Sequence, residues 1–217
     1  MIGVALRRDR SQPLSVLCLG CHSDDIEIGC GGTILRLAQD YPCTRFHWVV
    51  FSAVGVREAE ARRAASLFVD RALLEGPTLK SFRDSFMPFA GSEIKEVFED
   101  IKRTVSPDVI LTHFRDDAHQ DHRLISDLTW NTFRNHLVLE YEIPKYDGDF
   151  GQPNCYVPLT RELCDKKVQY LMEAFQSQRT KNWFEESTFR ALMRLRGMEC
   201  NAPSGYAEAF YLRKLVL

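Results

Sequence analysis

The 217-residue chain lacks any apolar run near the roughly 20 residues that a bilayer-spanning helix needs. The opening MIGVALRRDRSQP has its arginines after a short apolar piece and no long apolar core, so no secretory signal is expected. A dominant sign of charge is missing too. The 28 Lys and Arg face 30 Asp and Glu, a net −2. That gives no general pull toward nucleic acid or an acidic membrane surface, and neither is expected as a partner. Internal repeats and low-complexity tracts are absent. The cysteines number seven, and most lie inside apolar runs (Cys18, Cys21, Cys43, Cys164). An odd count of that kind argues for buried free thiols in a reducing compartment, with the cytoplasm as the expected location.

What is present is ordinary globular material, 45% hydrophobic and 27% charged. It is long enough for one domain with its own core, expected over 1–217, with residues 1–13 as a flexible arm ending at Pro13. Ser15 to Cys21 is short and almost continuously apolar, the pattern of a central strand in a parallel sheet. It stops abruptly at His22-Ser23-Asp24-Asp25. A glycine-rich turn is expected over Gly29–Gly32, and Thr33 then opens a helix that Pro42 stops. Phe46–Phe51 reads as a second strand and Arg57–Asp70 as a helix. Ser92–Val105 is amphipathic, with Ile94, Val97, Phe98 and Ile101 on one face. A third strand, Val109–Leu111, runs into Asp116-Asp117-Ala118-His119-Gln120-Asp121-His122. Leu124–His136 reads as helix, Leu137–Tyr141 as strand and 143–158 as a long loop. Two helices, Leu159–Ala174 and Phe184–Met198, and a short final strand complete the chain.

Strands alternating with helices imply right-handed crossovers and a mostly parallel sheet in a three-layer α/β/α fold. Ligands in such folds bind outside the carboxyl ends of the strands, where both polar clusters fall. His22 and Asp25 are three apart on a turn that can bring them to one point. His119 and His122 share a face if a helix opens there. His22, Asp25 and His122 together make a two-His, one-carboxylate set with open positions, the pattern of a catalytic metal rather than a closed structural one. Zinc is the first choice; Fe2+ suits the same set. That leaves Asp24 as general base toward the attacking water and His119 to stabilise an oxyanion. A ligating His needs a partner for its second nitrogen, and Asp117 and Asp121 are nearest in sequence. A strand-end Asp is often a helix cap and a loop His is usually solvated. Two such clusters at one sheet edge are harder to dismiss in that way.

Two competing motifs fail. Cys18-Leu19-Gly20-Cys21-His22 spells the haem-attachment pattern, but its cysteines sit in a strand where positions three apart face opposite sides. Gly29, Gly31 and Gly32 do not match the dinucleotide fingerprint, and the acidic pair precedes them.

HSDDIEIGCGGT resembles the A-H-P-D-D-x-x-x-x-x-G-G-T signature of the LmbE-like, or PIG-L, deacetylase family, and DDAHQDHR resembles its D-x-H-x-D-H signature. VGVREAEARRAASLF is similar to the family's R-x-x-E helix, and GYAEAF to its closing A-E-x-F segment. The resemblance implies a Rossmann-like fold and zinc-dependent removal of an N-acetyl group from an N-acetylglucosamine-type sugar. It implies His22, Asp25 and His122 as ligands, Asp24 as base and His119 at the oxyanion. One departure is Ser23, where the signature has proline. The alternatives are a metallohydrolase of a non-sugar amide, or a non-catalytic sugar- or nucleotide-binding module. Arg57, Asp84 and Glu208 are candidate substrate contacts, and Tyr141, Glu142 and Lys145 candidates for the substrate mouth. A homo-oligomer is compatible with the sequence, which does not fix the number of subunits.

Overall fold

A computed structural model describes residues 3–6, 11 and 13–216. Of the expected N-terminal arm, residues 1, 2, 7–10 and 12 lie outside the described residues, and the others are exposed. The elements follow in chain order as β1 (Ser15–His22), α1 (Asp25–Asp40), β2 (Arg45–Ser52), α2 (Val56–Phe68) and β3 (Leu74–Leu79). Then come α3 (Gly91–Thr104), β4 (Val109–His113), α4 (Gln120–Thr132), β5 (Leu137–Tyr141) and β6 (Cys155–Leu159). The chain closes with α5 (Arg161–Ala174), α6 (Glu186–Glu199) and β7 (Tyr206–Leu212).

Among the described residues the strands form one seven-stranded sheet, ordered β3-β2-β1-β4-β5-β7-β6. The β3-to-β5 portion is parallel throughout, and β7 runs antiparallel between β5 and β6. Alternation along β1 sends Val16 and Cys18 to one face and Leu17, Leu19 and Cys21 to the other. The first face packs against α1, α2, α5 and α6, through Ile34, Phe68, Val168 and Met193 among others. The second packs against α3 and α4, through Ile94, Phe98 and Ile125. This is the three-layer, mostly parallel fold read from the sequence.

Two strands were not anticipated. β3 (LEGPTL) and β6 (CYVPL) are the two edges of the sheet and mostly half-exposed. Edge strands need no continuous apolar pattern and tolerate proline, so Pro77 and Pro158 hid them. β6 takes the end of the segment expected to be loop.

The glycine-rich turn is also corrected. α1 begins at Asp25, not Thr33, and carries the glycines inside it, with a break at Cys30 (φ −142°, ψ 16°). The glycines are there because three neighbours press on the helix. A Cβ at Gly29 would meet the Tyr141 ring at 2.2 Å, one at Gly31 the Phe68 ring at 2.5 Å, and one at Gly32 Leu159 at 2.5 Å. Tyr141 cannot yield, because it is fully buried and its hydroxyl donates to the Leu19 carbonyl at 2.6 Å. Gly→Ala in an unobstructed helix gains about 1 kcal/mol. Here the clash reverses the sign, and Gly29→Ala is expected to lower stability by about 1–3 kcal/mol in urea denaturation.

The chain leaves β1 toward β2 on one side and reaches β4 on the other. The carboxyl ends of β1 and β4 therefore flank the crevice where parallel sheets of this kind bind ligands. His22 ends β1 and His113 ends β4.

Candidate metal centre and active site

The turn from β1 into α1 places Asp24 at the N-cap and Asp25 at the first helical position. A carboxylate there faces the helix's positive end. Asp25 Oδ2 also accepts from the His22 backbone N–H at 2.7 Å, which closes the turn. Opposite it, His119 is the N-cap of α4, and Asp121 and His122 lie in its first turn.

Three donor atoms from these two turns converge. His22 Nδ1 lies 3.3 Å from Asp25 Oδ2, His122 Nε2 lies 3.6 Å from the same oxygen, and the two nitrogens are 3.3 Å apart. A tetrahedral ion with N and O ligands at about 2.0–2.1 Å separates them by about 3.3–3.4 Å, whereas an octahedral one at similar bond lengths brings them to about 3.0 Å. The edges of this triangle suit the tetrahedral case. The second nitrogen of His122 supports the same reading. Asp117 Oδ2 lies 2.9 Å from His122 Nδ1, which fixes the proton there and leaves the Nε2 lone pair aimed into the triangle. Lys145 Nζ steadies Asp117 at 3.0 Å. The residues therefore fit a divalent ion. Removing the carboxylate charge with Asp117→Asn is expected to weaken zinc binding about 10–100-fold, measured by competition with a chromophoric chelator.

The electrostatics agree. Burial alone would raise the Asp25 carboxyl, but His122, His113 and His22 outweigh it and hold it well below the ordinary range. Burial disfavours charge on His22, yet Asp25, Asp121 and Asp84 together raise it well above the usual imidazole value. Asp24 behaves oppositely to its neighbour. Its burial pushes it up despite Arg57, whose Nη2 donates to Asp24 Oδ1 at 2.6 Å. His119 is lowered by burial, then by His122 and His22, so its ring is held neutral. Its Nδ1 accepts from the Asp121 N–H at 3.3 Å, which puts the ring proton on Nε2.

The sequence candidates separate into groups. His22, Asp24, Asp25, His119 and His122 meet at one crevice. Asp117 and Asp121 both stand behind the histidines as expected. Asp121 accepts from the Ser85 and Met87 N–H groups at 2.7 and 3.2 Å and lies 3.6 Å from His22 Nε2. Asp84 Oδ1 approaches that nitrogen to 3.1 Å, without hydrogen-bond alignment. Arg57 does reach the crevice, but its guanidinium is engaged by Asp24 and by Glu60 at 2.9 Å, with Ser177 bound to Glu60 behind it.

Glu208 is brought elsewhere. Its two oxygens accept from the Gly32 and Thr33 N–H groups at 2.8 and 2.6 Å, and Lys167 Nζ donates to it at 2.6 Å. It caps α1 where the helix restarts after Cys30, buried to 4% exposure. Of the mouth candidates, Tyr141 is core with its hydroxyl 3.3 Å from His113 Nε2, Glu142 pairs with Arg196, and Lys145 reaches Asp117.

His113 had no assigned role in the sequence reading. It is fully buried, stacks on His122 at 3.9 Å and 21°, and its Nε2 lies 3.2 Å from Asp25 Oδ2. The signal was its place at the end of a strand adjacent to β1, which only the strand order reveals.

A family model described as PIG-L, GlcNAc-PI de-N-acetylase, matches residues 17–133. Solved structures resemble the chain over nearly all its length. The N,N'-diacetylchitobiose deacetylase of Pyrococcus horikoshii aligns with TM-score 0.69 at 19% identity, over 96% of this chain and 88% of that one. A conserved protein of Thermus thermophilus aligns with TM-score 0.74 at 21%, over 94% and 96%. The 4-carboxy-2-hydroxymuconate hydratase of Pseudomonas putida aligns with TM-score 0.70 at 18%, over 94% and 98%. At these identities the likeness is one of fold.

Proposed function

Because the chain belongs to the PIG-L (GlcNAc-PI de-N-acetylase) family, we propose that it is a divalent-metal-dependent hydrolase. It removes the acetyl group from an N-acetylglucosamine-type sugar or conjugate, and the 217 residues act as one domain. The observation that carries this reading is the triangle of His22 Nδ1, Asp25 Oδ2 and His122 Nε2 with edges of 3.3–3.6 Å beside a second, differently tuned aspartate. Those three atoms would hold the ion, zinc by preference. A bound divalent ion supplies Lewis acidity, polarising the amide carbonyl and acidifying water.

The chain's own groups do the rest. Arg57 holds Asp24 through Oδ1, so Oδ2 is the oxygen that takes the proton as water attacks the acetyl carbon. A carboxyl raised by burial is a better base than an ordinary one. His119, neutral with its proton on Nε2, donates to the developing oxyanion. As the C–N bond breaks, Asp24 returns the proton to the leaving nitrogen. The products are acetate and a free amine. All seven cysteines are free thiols, which supports a reducing compartment such as the cytoplasm. No helix among the described residues is long and apolar enough to cross a membrane.

The test is acetate release by the zinc-loaded protein across a panel of N-acetylhexosamine glycosides and sugar nucleotides, with acetylated non-sugar amines as controls. A structural neighbour is a hydratase, so acetate itself is the readout. Release from the sugars above the controls is expected. No release from any sugar would overturn the reading.

A further inference from the structure

Outside the terminal segments, eight large apolar side chains are exposed among the described residues, and six of them lie on three loops or, for Val56, on the first helical residue that ends one of them. Val54 (56% exposed) and Val56 (63%) follow β2, Phe86 (41%) and Phe89 (84%) follow β3, and Tyr146 (72%) and Phe150 (44%) follow β5. All three loops leave the carboxyl ends of parallel strands, the edge that carries the metal-binding triangle. The other two, Leu195 and Met198, lie on α6.

Each loop is tied to the site by a polar residue next to its apolar ones. Arg57, beside Val56, binds Asp24 at 2.6 Å. Asp84 lies 3.1 Å from His22, and Ser85, beside Phe86, donates to Asp121 at 2.7 Å. Lys145 and Asp149 bracket the third loop and bind Asp117 and the Ala118 N–H at 3.0 and 2.6 Å. The first two loops run side by side, with Ala53 N donating to Lys80 O at 2.9 Å and Phe82 N to Phe51 O at 3.0 Å. The apolar residues thus belong to the same segments whose polar members bound the crevice.

We propose that the amino sugar's substituent is apolar, an alkyl, acyl or aryl group of several carbons that lies across these loops while the acetamide sits at the triangle. This rests on the deacetylase reading above and adds the chemistry of the group the sugar carries. A substituent anchored at one end by the reacting amide contacts the rim without further loss of translational freedom. Each methylene half-buried there is expected to raise kcat/KM about twofold, half the free energy of full burial.

The experiment measures kcat/KM of the zinc-loaded full chain on methyl, butyl, hexyl and octyl N-acetylglucosaminides below their micelle concentrations. In the wild type the values are expected to climb about twofold per methylene. In Phe89→Ser the octyl-to-methyl ratio is expected to fall at least threefold, while Leu195→Ser on α6 keeps the wild-type ratio. Each ratio is internal to one variant, so a general loss of activity does not mimic the effect. A wild type that releases acetate from all four glycosides at equal kcat/KM overturns the proposal and leaves the deacetylase reading intact. So does a flat series accompanied by a concentration-dependent dimer that Phe89→Ser dissolves, which would make the rim an interface between copies. No acetate from any glycoside overturns the deacetylase reading and the proposal with it.

Discussion

Asp24→Asn is expected to cut acetate release about a thousandfold, within the 100- to 10,000-fold range that general bases contribute, while the protein still binds one equivalent of zinc. The change is isosteric and removes the negative charge together with the capacity to take a proton, while an amide oxygen can still accept from Arg57. Asp24 offers nothing to the triangle, whose carboxylate oxygen belongs to Asp25. Folding should be little affected, because Arg57 keeps Glu60 as its ion partner at 2.9 Å. Kinetics and metal content measured on the same preparation separate the two adjacent aspartates. Activity within tenfold of wild type with zinc bound would remove Asp24 from the base role.

Glu208→Ala is expected to destabilise the protein by about 3–5 kcal/mol, the range for breaking a buried ion pair by removing one partner. The Gly32 and Thr33 N–H groups lose their acceptor together, and the Lys167 ammonium, itself only 3% exposed, loses its counter-charge and keeps the Ile28 carbonyl at 2.6 Å. For a domain of this size that corresponds to a fall in melting temperature of roughly 10 °C. Glu208→Gln retains an acceptor for the helix but not the charge facing Lys167, and should fall between. If Glu208 were instead a substrate contact, KM would rise in the alanine variant with the melting temperature unchanged. The two roles give opposite results in a thermal melt.

That pair of residues also shows what a linear reading can and cannot reach. Asp24, Asp25, His119 and His122 were legible because their chemistry is packed into two short runs, each directly after an apolar strand. The strand pattern itself says both runs emerge at the same edge. Glu208 was not placed because its helix partners lie about 175 positions away and Lys167 lies 41 away, and no local spacing announces a carboxylate that caps a broken helix. Arg57 reached the right place for a different purpose, since its partner at the crevice is a neighbouring carboxylate. The glycines were legible as a departure from ordinary helix and wrongly placed outside it. Their cause is Tyr141, Phe68 and Leu159 pressing from other elements. His113 carried too little local signal for a role to be assigned, because one histidine at a strand end is commonplace until β4 is known to lie beside β1.

The most direct measurement strips the purified protein of metal with a chelator, removes the chelator, and follows acetate release from an N-acetylglucosaminide as zinc is returned. The account predicts that release stops with the metal and recovers in proportion to zinc up to one equivalent per chain, and that His22→Ala and His122→Ala neither retain zinc nor recover. Undiminished acetate release from metal-free protein, or full zinc occupancy in both histidine variants, would contradict it.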